Sequence, residues 1–330
     1  MAAVINPEIR VRVETIFDDV WDSAEESIRL DIEIEITKDL TGDPNQAIVR
    51  IYNLNDDTIN ILAAGGAPNI EIFFNMYGET ELTQCFLGEI VNCYTTQEHP
   101  GSVTNLICES QRFHSRDKYI KLNYASGTAL SLIVDAMVKA IDLPVQKCEI
   151  PQRSSLNAAT YTGPAFLNLK ELLKPEGMFC YIVDGVLYIS SVFEPPVDTV
   201  VELKNSFLIE QPQPTTRRDV RDLWYTAGLT NKDAAAATAA NTFTINKDKV
   251  KKISKQMAMD KNKIRVQVDA VDIDIKGLAI TLLGLPDLQP DTVINVEGNT
   301  AYYRIQRLTH RGDNHDGIIT DIQADNFEGH

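Results

Sequence analysis

The sequence predicts a mainly β protein with an α+β portion: two β domains, of barrel or sandwich type, flanking a small α+β domain. Two observations carry that prediction. Apolar and polar residues alternate with a period of two through the first hundred residues and again after Lys247, whereas between them the apolar residues recur with a helical period. A chain of 330 residues suits two or three domains at about 150 residues each. The expected boundaries are 1–111, 112–195 and 246–330, and the segment 196–245 either completes the first β domain or links it onward.

In the first domain, "SIRLDIEIEIT" sets Ile28, Leu30, Ile32, Ile34 and Ile36 against Arg29, Asp31, Glu33, Glu35 and Thr37, one dry face and one acidic face. "TGDPNQ" makes the turn into a returning strand. That strand places Ala47, Val49 and Ile51 on one side and Ile48, Tyr52 and Leu54 on the other, so both of its faces are expected to be covered. Asn53 to Asp57 ends it and caps a short helix, "DDTINILAA", with Asp56 and Asp57 at the positive end of the helix and Gly65-Gly66 at its stop. Strands come next at "NIEIFFNMY", "TQCFLGEIVNCYTTQ" and "SVTNLICESQ".

The middle block opens with "YASGTALSLIVDAMVKAIDLP", whose Leu130, Ile133, Val134, Met137, Ala140 and Ile141 form one helical stripe. A second helix is expected at "PAFLNLKELLKPEGM", and "FCYIVDGVLYISS" is a hairpin turned by Asp184-Gly185. "FEPPVD" and "EQPQPTTRRD" punctuate the chain near 195–220, and the Ala-rich stretch at 234–240 is expected as a loop or linker, with helix as the alternative. Strands resume at "KIRVQVDAVDIDI", "LAITLLGLP", "TVINVEG", "YYRIQRLTH" and "GIITDIQADNF".

Forty-seven acidic against 31 basic residues give a formal charge of -16, which argues against wrapping nucleic acid, because phosphate affinity rests on basic side chains. Five cysteines at 85, 93, 108, 148 and 180 include no CxxC pair and are expected as free thiols in a reducing compartment. "MAAVINPEIRVRV" lacks the features of a signal peptide, and no run approaches the about 18 apolar residues of a membrane span.

Catalytic signatures are absent: no GxSxG, GxxxxGK[ST], HExxH or dinucleotide fingerprint occurs, and neither an enzymatic role nor a cofactor is expected. His310, Asp313, His315 and Asp316 in "THRGDNHDG" are of metal-ligating types, but their spacing fits no established ligand pattern and a polar hairpin loop explains them. Glu33 and Glu35 fit a solvated strand face better than a glycosidase pair.

The run "IEIEITKDLTGDPNQAIVRIYNLNDDTINIL" resembles the opening of central baseplate hub proteins of contractile-tailed phages, related to the late control protein D family. "YASGTALSLIVDAMVKAIDLP" and "LKPEGMFCYIVDGVLYISS" are similar to elements of the hub's small middle domain. "ITLLGLPDLQPDTVINVEG" with "YYRIQRLTHRGDNHDGIITDIQAD" is similar to its C-terminal β domain. The resemblance implies that both β domains are tail-tube-like and that three copies form a pseudo-sixfold homotrimer. That ring would join the sixfold tail tube protein to the trimeric central spike protein, contact other baseplate proteins, and pass DNA in transit during genome ejection. It further implies a place in the virion after assembly in the host cytoplasm, and an assembly role for Ile51, Tyr52, Asn53 and Leu54. A tail-tube or adaptor protein, a tail-associated cell-wall hydrolase and a receptor- or carbohydrate-binding protein are the alternatives.

Overall fold

Alternation becomes sheet in the order the chain dictates. The computed structural model describes residues 8–14, 20–26, 29–40, 44–63, 68–76, 78–98, 101–110, 118–150, 158–191, 200–227, 257–260 and 263–327, with strand paths alone for 217–227, 257–260 and 263–274. The Ala-rich stretch at 234–240 lies outside the described residues, as do Ile28 and Gly65-Gly66.

The first β part contains β1 (Ile9–Glu14), β2 (Val20–Asp22), β3 (Ile32–Asp39), β4 (Gln46–Tyr52), β5 (Asn69–Asn75), β6 (Leu82–Glu98) and β7 (Gly101–Glu109). Their order is β3-β4-β7-β6-β5-β1-β2, antiparallel throughout. Inward residues of β1, β3, β4, β5, β6 and β7 share one buried cluster, so the sheet is rolled about a common core. Each Ile or Leu buried there is worth roughly 1.5–3 kcal/mol. The helix α1 (Asp56–Leu62) starts where Asn55 accepts from Thr58 N (2.7 Å) and ends at Ala63, with Leu62 in the core.

The returning strand departs from expectation on its second face. Ala47, Val49 and Ile51 are fully buried, but Ile48 and Tyr52 are only half-buried, so within one copy the strand is covered on one side. Leu54 is in the core nonetheless, because Asn53 adopts φ 56° and turns the chain after Tyr52, which switches the parity of the next residues.

The middle part pairs β8 (Tyr119–Tyr124) with β10 (Ala159–Pro164), and β12 (Val186–Ser191) with β11 (Met178–Val183) and, in parallel, with β9 (Val145–Lys147). Against these pack α2 (Leu130–Ile141) and α3 (Ala165–Leu173), whose buried residues Leu130, Ile133, Val134, Met137, Ile141, Phe166 and Leu169 form a second core.

The second β part is larger than the expected 246–330. It takes in β13 (Val200–Leu203) and β14 (Gln213–Ala227) together with β15 (Met257–Asp260), β16 (Lys263–Leu283), β17 (Val293–Val296), β18 (Tyr302–Asp313) and β19 (Gly317–Phe327). β13 pairs with β17 and β14 with β16, so the described residues of 196–245 join this part and do not complete the first. The expected punctuation at "EQPQPTTRRD" is strand from Gln213 onward; β14 pairs among the described residues with β16 alone, and an edge strand tolerates Pro214. "KIRVQVDAVDIDI" and the "LAITLL" of "LAITLLGLP" are likewise one continuous strand, which ends at Leu283. Leu208 bridges Leu282 and Ile209 N donates to Thr281 O (3.0 Å), which brings the chain after β13 back onto β16 and closes the order β13-β17-β18-β19-β16 around a third core.

Candidate functional site: the seam between the β parts

Among the described residues no catalytic cluster stands out, and the functional candidate is a seam. β18 is shared between the two β parts: Tyr302–Arg304 pair with β17, and after a bulge at Gln306, Arg307–Asp313 pair with β3. A bulge bends a strand and re-aims the residues beyond it, which lets β18 leave one part and run into the other. Among the described residues fourteen strands thus belong to one hydrogen-bonded sheet, and Ile318 of β19 contributes to the first core.

The outward face across this seam is a band over β4, β3, β18, β19 and β16. Arg50 donates to Glu33 (2.7 Å), Tyr52 OH to the same carboxylate (3.3 Å), Thr37 and Thr309 share a hydrogen bond (3.2 Å), and Asp321 accepts from Arg311 (2.8 Å) and Thr281 (2.7 Å). The face is polar and carries both signs of charge.

The metal candidates separate. His310 lies on the inward face of β18, fully buried, with its ring 5.2 Å from Phe74 and Nδ1 2.9 Å from Thr320 Oγ1; Nε2 has no hydrogen-bond partner among the described residues. Burial, with the charge of Lys38 acting the same way, lowers its pKa to about 3. Asp313 ends β18, and His315 and Asp316 lie in the β18–β19 connection; Asp313 Oδ1 accepts from the backbone N–H groups of His315 and Asp316 (2.7 Å each), and His315 Nε2 lies 2.7 Å from Asp31. Among the described residues no three His, Cys, Asp or Glu side chains converge on a metal-binding geometry.

Of the proposed assembly motif, Ile51 and Leu54 are core residues, while Tyr52 faces the band and Asn53 is exposed, accepting from Ser102 N (3.2 Å). Two residues that no motif marks tie the seam. Asn314 is buried, accepts from Ile32 N (3.2 Å) and donates to Leu30 O (2.7 Å), clamping the β18–β19 turn to β3. Lys38 is fully buried on the inward face of β3, and its only signal in the sequence is a lone cation at the parity of Ile32, Ile34 and Ile36. Burial raises the thiol pKa values of Cys85 and Cys108 and pushes Cys180 up to about 12, which leaves these three unreactive as nucleophiles. No helix among the described residues is long and apolar enough to cross a membrane.

No family model matches the chain, and no curated protein does. Solved structures do. A tail protein from Neisseria meningitidis MC58 aligns at 12% identity over 96% of both chains with a TM-score of 0.55. The 43 kDa tail protein of prophage MuSo2 from Shewanella oneidensis aligns at 12% identity, over 96% of this chain and 98% of that one, with a TM-score of 0.57. A chain of the Francisella PdpA-VgrG complex aligns at 9% identity, over 98% of this chain and 59% of that one, with a TM-score of 0.53. At such identities the likeness is one of fold, and it runs through all three parts.

Proposed function

We propose that this chain is a structural protein of a phage-tail baseplate: a hub whose three copies form a pseudo-sixfold ring between the sixfold tail tube and a trimeric spike. The observation that carries this reading is the β3–β18 ladder, seven residue pairs from Arg307↔Asp39 to Asp313↔Glu33. It sets two β parts of one chain edge to edge in a single sheet, so each copy offers two consecutive wall segments and three copies offer six. The fold likeness to phage tail proteins supports the same reading.

In this arrangement the outward band lines the channel. Arg50 and Arg311 there are each held by a carboxylate, Glu33 and Asp321, which weakens their pull on the phosphates of DNA in transit. The partners are other copies of the chain, the tail tube, the spike and neighbouring baseplate proteins, and the place of action is the virion. The chain acts by shape and edge pairing and not by catalysis.

Electron microscopy of the purified chain, alone and with the tube and spike proteins encoded beside it, tests the proposal. Threefold rings with a central channel and six-lobed outline are expected. Sixfold rings would make it a tube or adaptor subunit, and monomers in every mixture would refute the assembly role.

A further inference from the structure

Lys38 breaks the apolar face of β3. An aliphatic side chain would bury there without penalty, whereas an ammonium taken out of water is strongly disfavoured unless partners replace the water. Those partners come from the two other parts of the molecule. Lys38 Nζ donates to Asp184 Oδ2 (2.7 Å), in the turn between β11 and β12, and to Gln289 Oε1 (3.0 Å), in the loop between β16 and β17. Gln289 Nε2 closes the triangle by donating to Asp184 Oδ2 (3.2 Å). The other carboxylate oxygen, Oδ1, accepts from Leu87 N of β6 (3.2 Å).

The turn aims that carboxylate. Asp184 and Gly185 have φ 48° and 77°, the left-handed pair of a tight hairpin turn, which Asp and Gly accommodate with little strain. Further along the hairpin, Tyr181 OH donates to Asp291 Oδ2 (2.9 Å), and Arg304, paired with Asp291, donates to Ser191 O (2.7 Å) and Ser190 Oγ (2.8 Å). Asn45 Nδ2 of the first part donates to Ile182 O (3.3 Å). The hairpin therefore holds buried polar contacts to both β parts at once.

The geometry points to the β11–β12 hairpin as a wedge that sets the angle between the two β parts, with the Lys38–Asp184–Gln289 triangle as its latch. Apolar surfaces slide over one another at little cost, but a fully buried ammonium that loses its half-buried carboxylate partner is left as an unpaired charge, so every other angle is penalised. The β3–β18 ladder alone cannot do this, because the twist between paired strands varies widely. The angle is thus a property of the single subunit, independent of whether copies form a ring.

Hydrogen–deuterium exchange and small-angle scattering of Lys38→Met test it. Exchange in peptides covering Leu87 and 178–191 is expected to rise about tenfold or more, with a changed scattering profile, while peptides covering Ile34 and Val49 keep their protection. Gln289→Leu should shift the same peptides less, since it leaves the ion pair. Asp184→Asn preserves the turn and an acceptor for Leu87 N, and stands in for Lys38→Met should that variant not fold. Unchanged exchange at 178–191 in the folded variants, or a rise spread evenly over all three cores, would overturn the latch. A failure to see rings by microscopy would leave these results unaffected.

Discussion

On the inward face of β18 an imidazole takes a place that alternation reserves for an aliphatic side chain. His310 keeps its Nδ1 contact to Thr320 but must remain neutral, because protonation would bury a cation near Lys38. Its folded pKa of about 3 lies below the ordinary value of 6.5, so the unfolded chain binds the extra proton first as pH falls. The stability tied to His310 is complete above pH 6.5 and is lost progressively between pH 6.5 and about 3. Asp22 adds a loss in the same direction: burial raises its carboxyl, yet the hydrogen bonds from Arg10 and Ala24 N, together with the charges of Arg10 and Arg12, outweigh that and hold the net pKa below the usual range. Chemical denaturation at a series of pH values is expected to show His310→Phe with a flatter acid limb than wild type. Thr320 keeps a partner in that variant, since its hydroxyl also accepts from Leu285 N (3.2 Å). The metal-ligand types in "THRGDNHDG" are plain in the sequence, but burial separates His310 from the other three, and no local pattern reports burial contributed by distant strands.

Helix α1 and strand β16 show how far local rules carry. The cap of α1 is legible because an Asx side chain before two acidic residues satisfies the free N–H groups of a first turn. Asn55→Ala should cost about 1 kcal/mol and hasten exchange of the Thr58 amide selectively, seen by hydrogen exchange. Strand β16 reads as two strands in the sequence because Lys276-Gly277 interrupts the apolar pattern. Gly277 is instead where three strands meet, paired to both Thr215 and Asp325. A Cβ added there would stand 2.4 Å from Ala324 O and 2.8 Å from Thr215 Oγ1, so the glycine answers to close approach and not to a turn. Gly277→Val is expected to lower stability by about 1–3 kcal/mol in denaturant titration and to loosen β19 from β16.

The proposed assembly of copies would answer to charge as well as to edges. A formal -16 on every chain means that like-charged subunits repel at low ionic strength. Raising salt from about 0.01 M to 0.15 M shortens the screening length from about 30 Å to 8 Å, and sedimentation should show stronger self-association across that range. Weaker association with added salt would instead mean that ion pairs hold the copies together.

The order of elements was present in the chain: alternating runs became strands, the 3.6-residue stripe became α2, and Asp184-Gly185 became the hairpin turn, because each depends on residues a few positions apart. The partners of those elements were not. That 200–227 joins the second β part, that β18 crosses from β17 to β3, and that a lone lysine on an isoleucine face meets a turn 146 residues away are all consequences of pairing between distant segments. Periodicity states which face of a strand is dry. Which strand lies beside it, and which buried charge finds its counter-ion, depends on the closing of long loops around a common core, and that leaves no mark at short range.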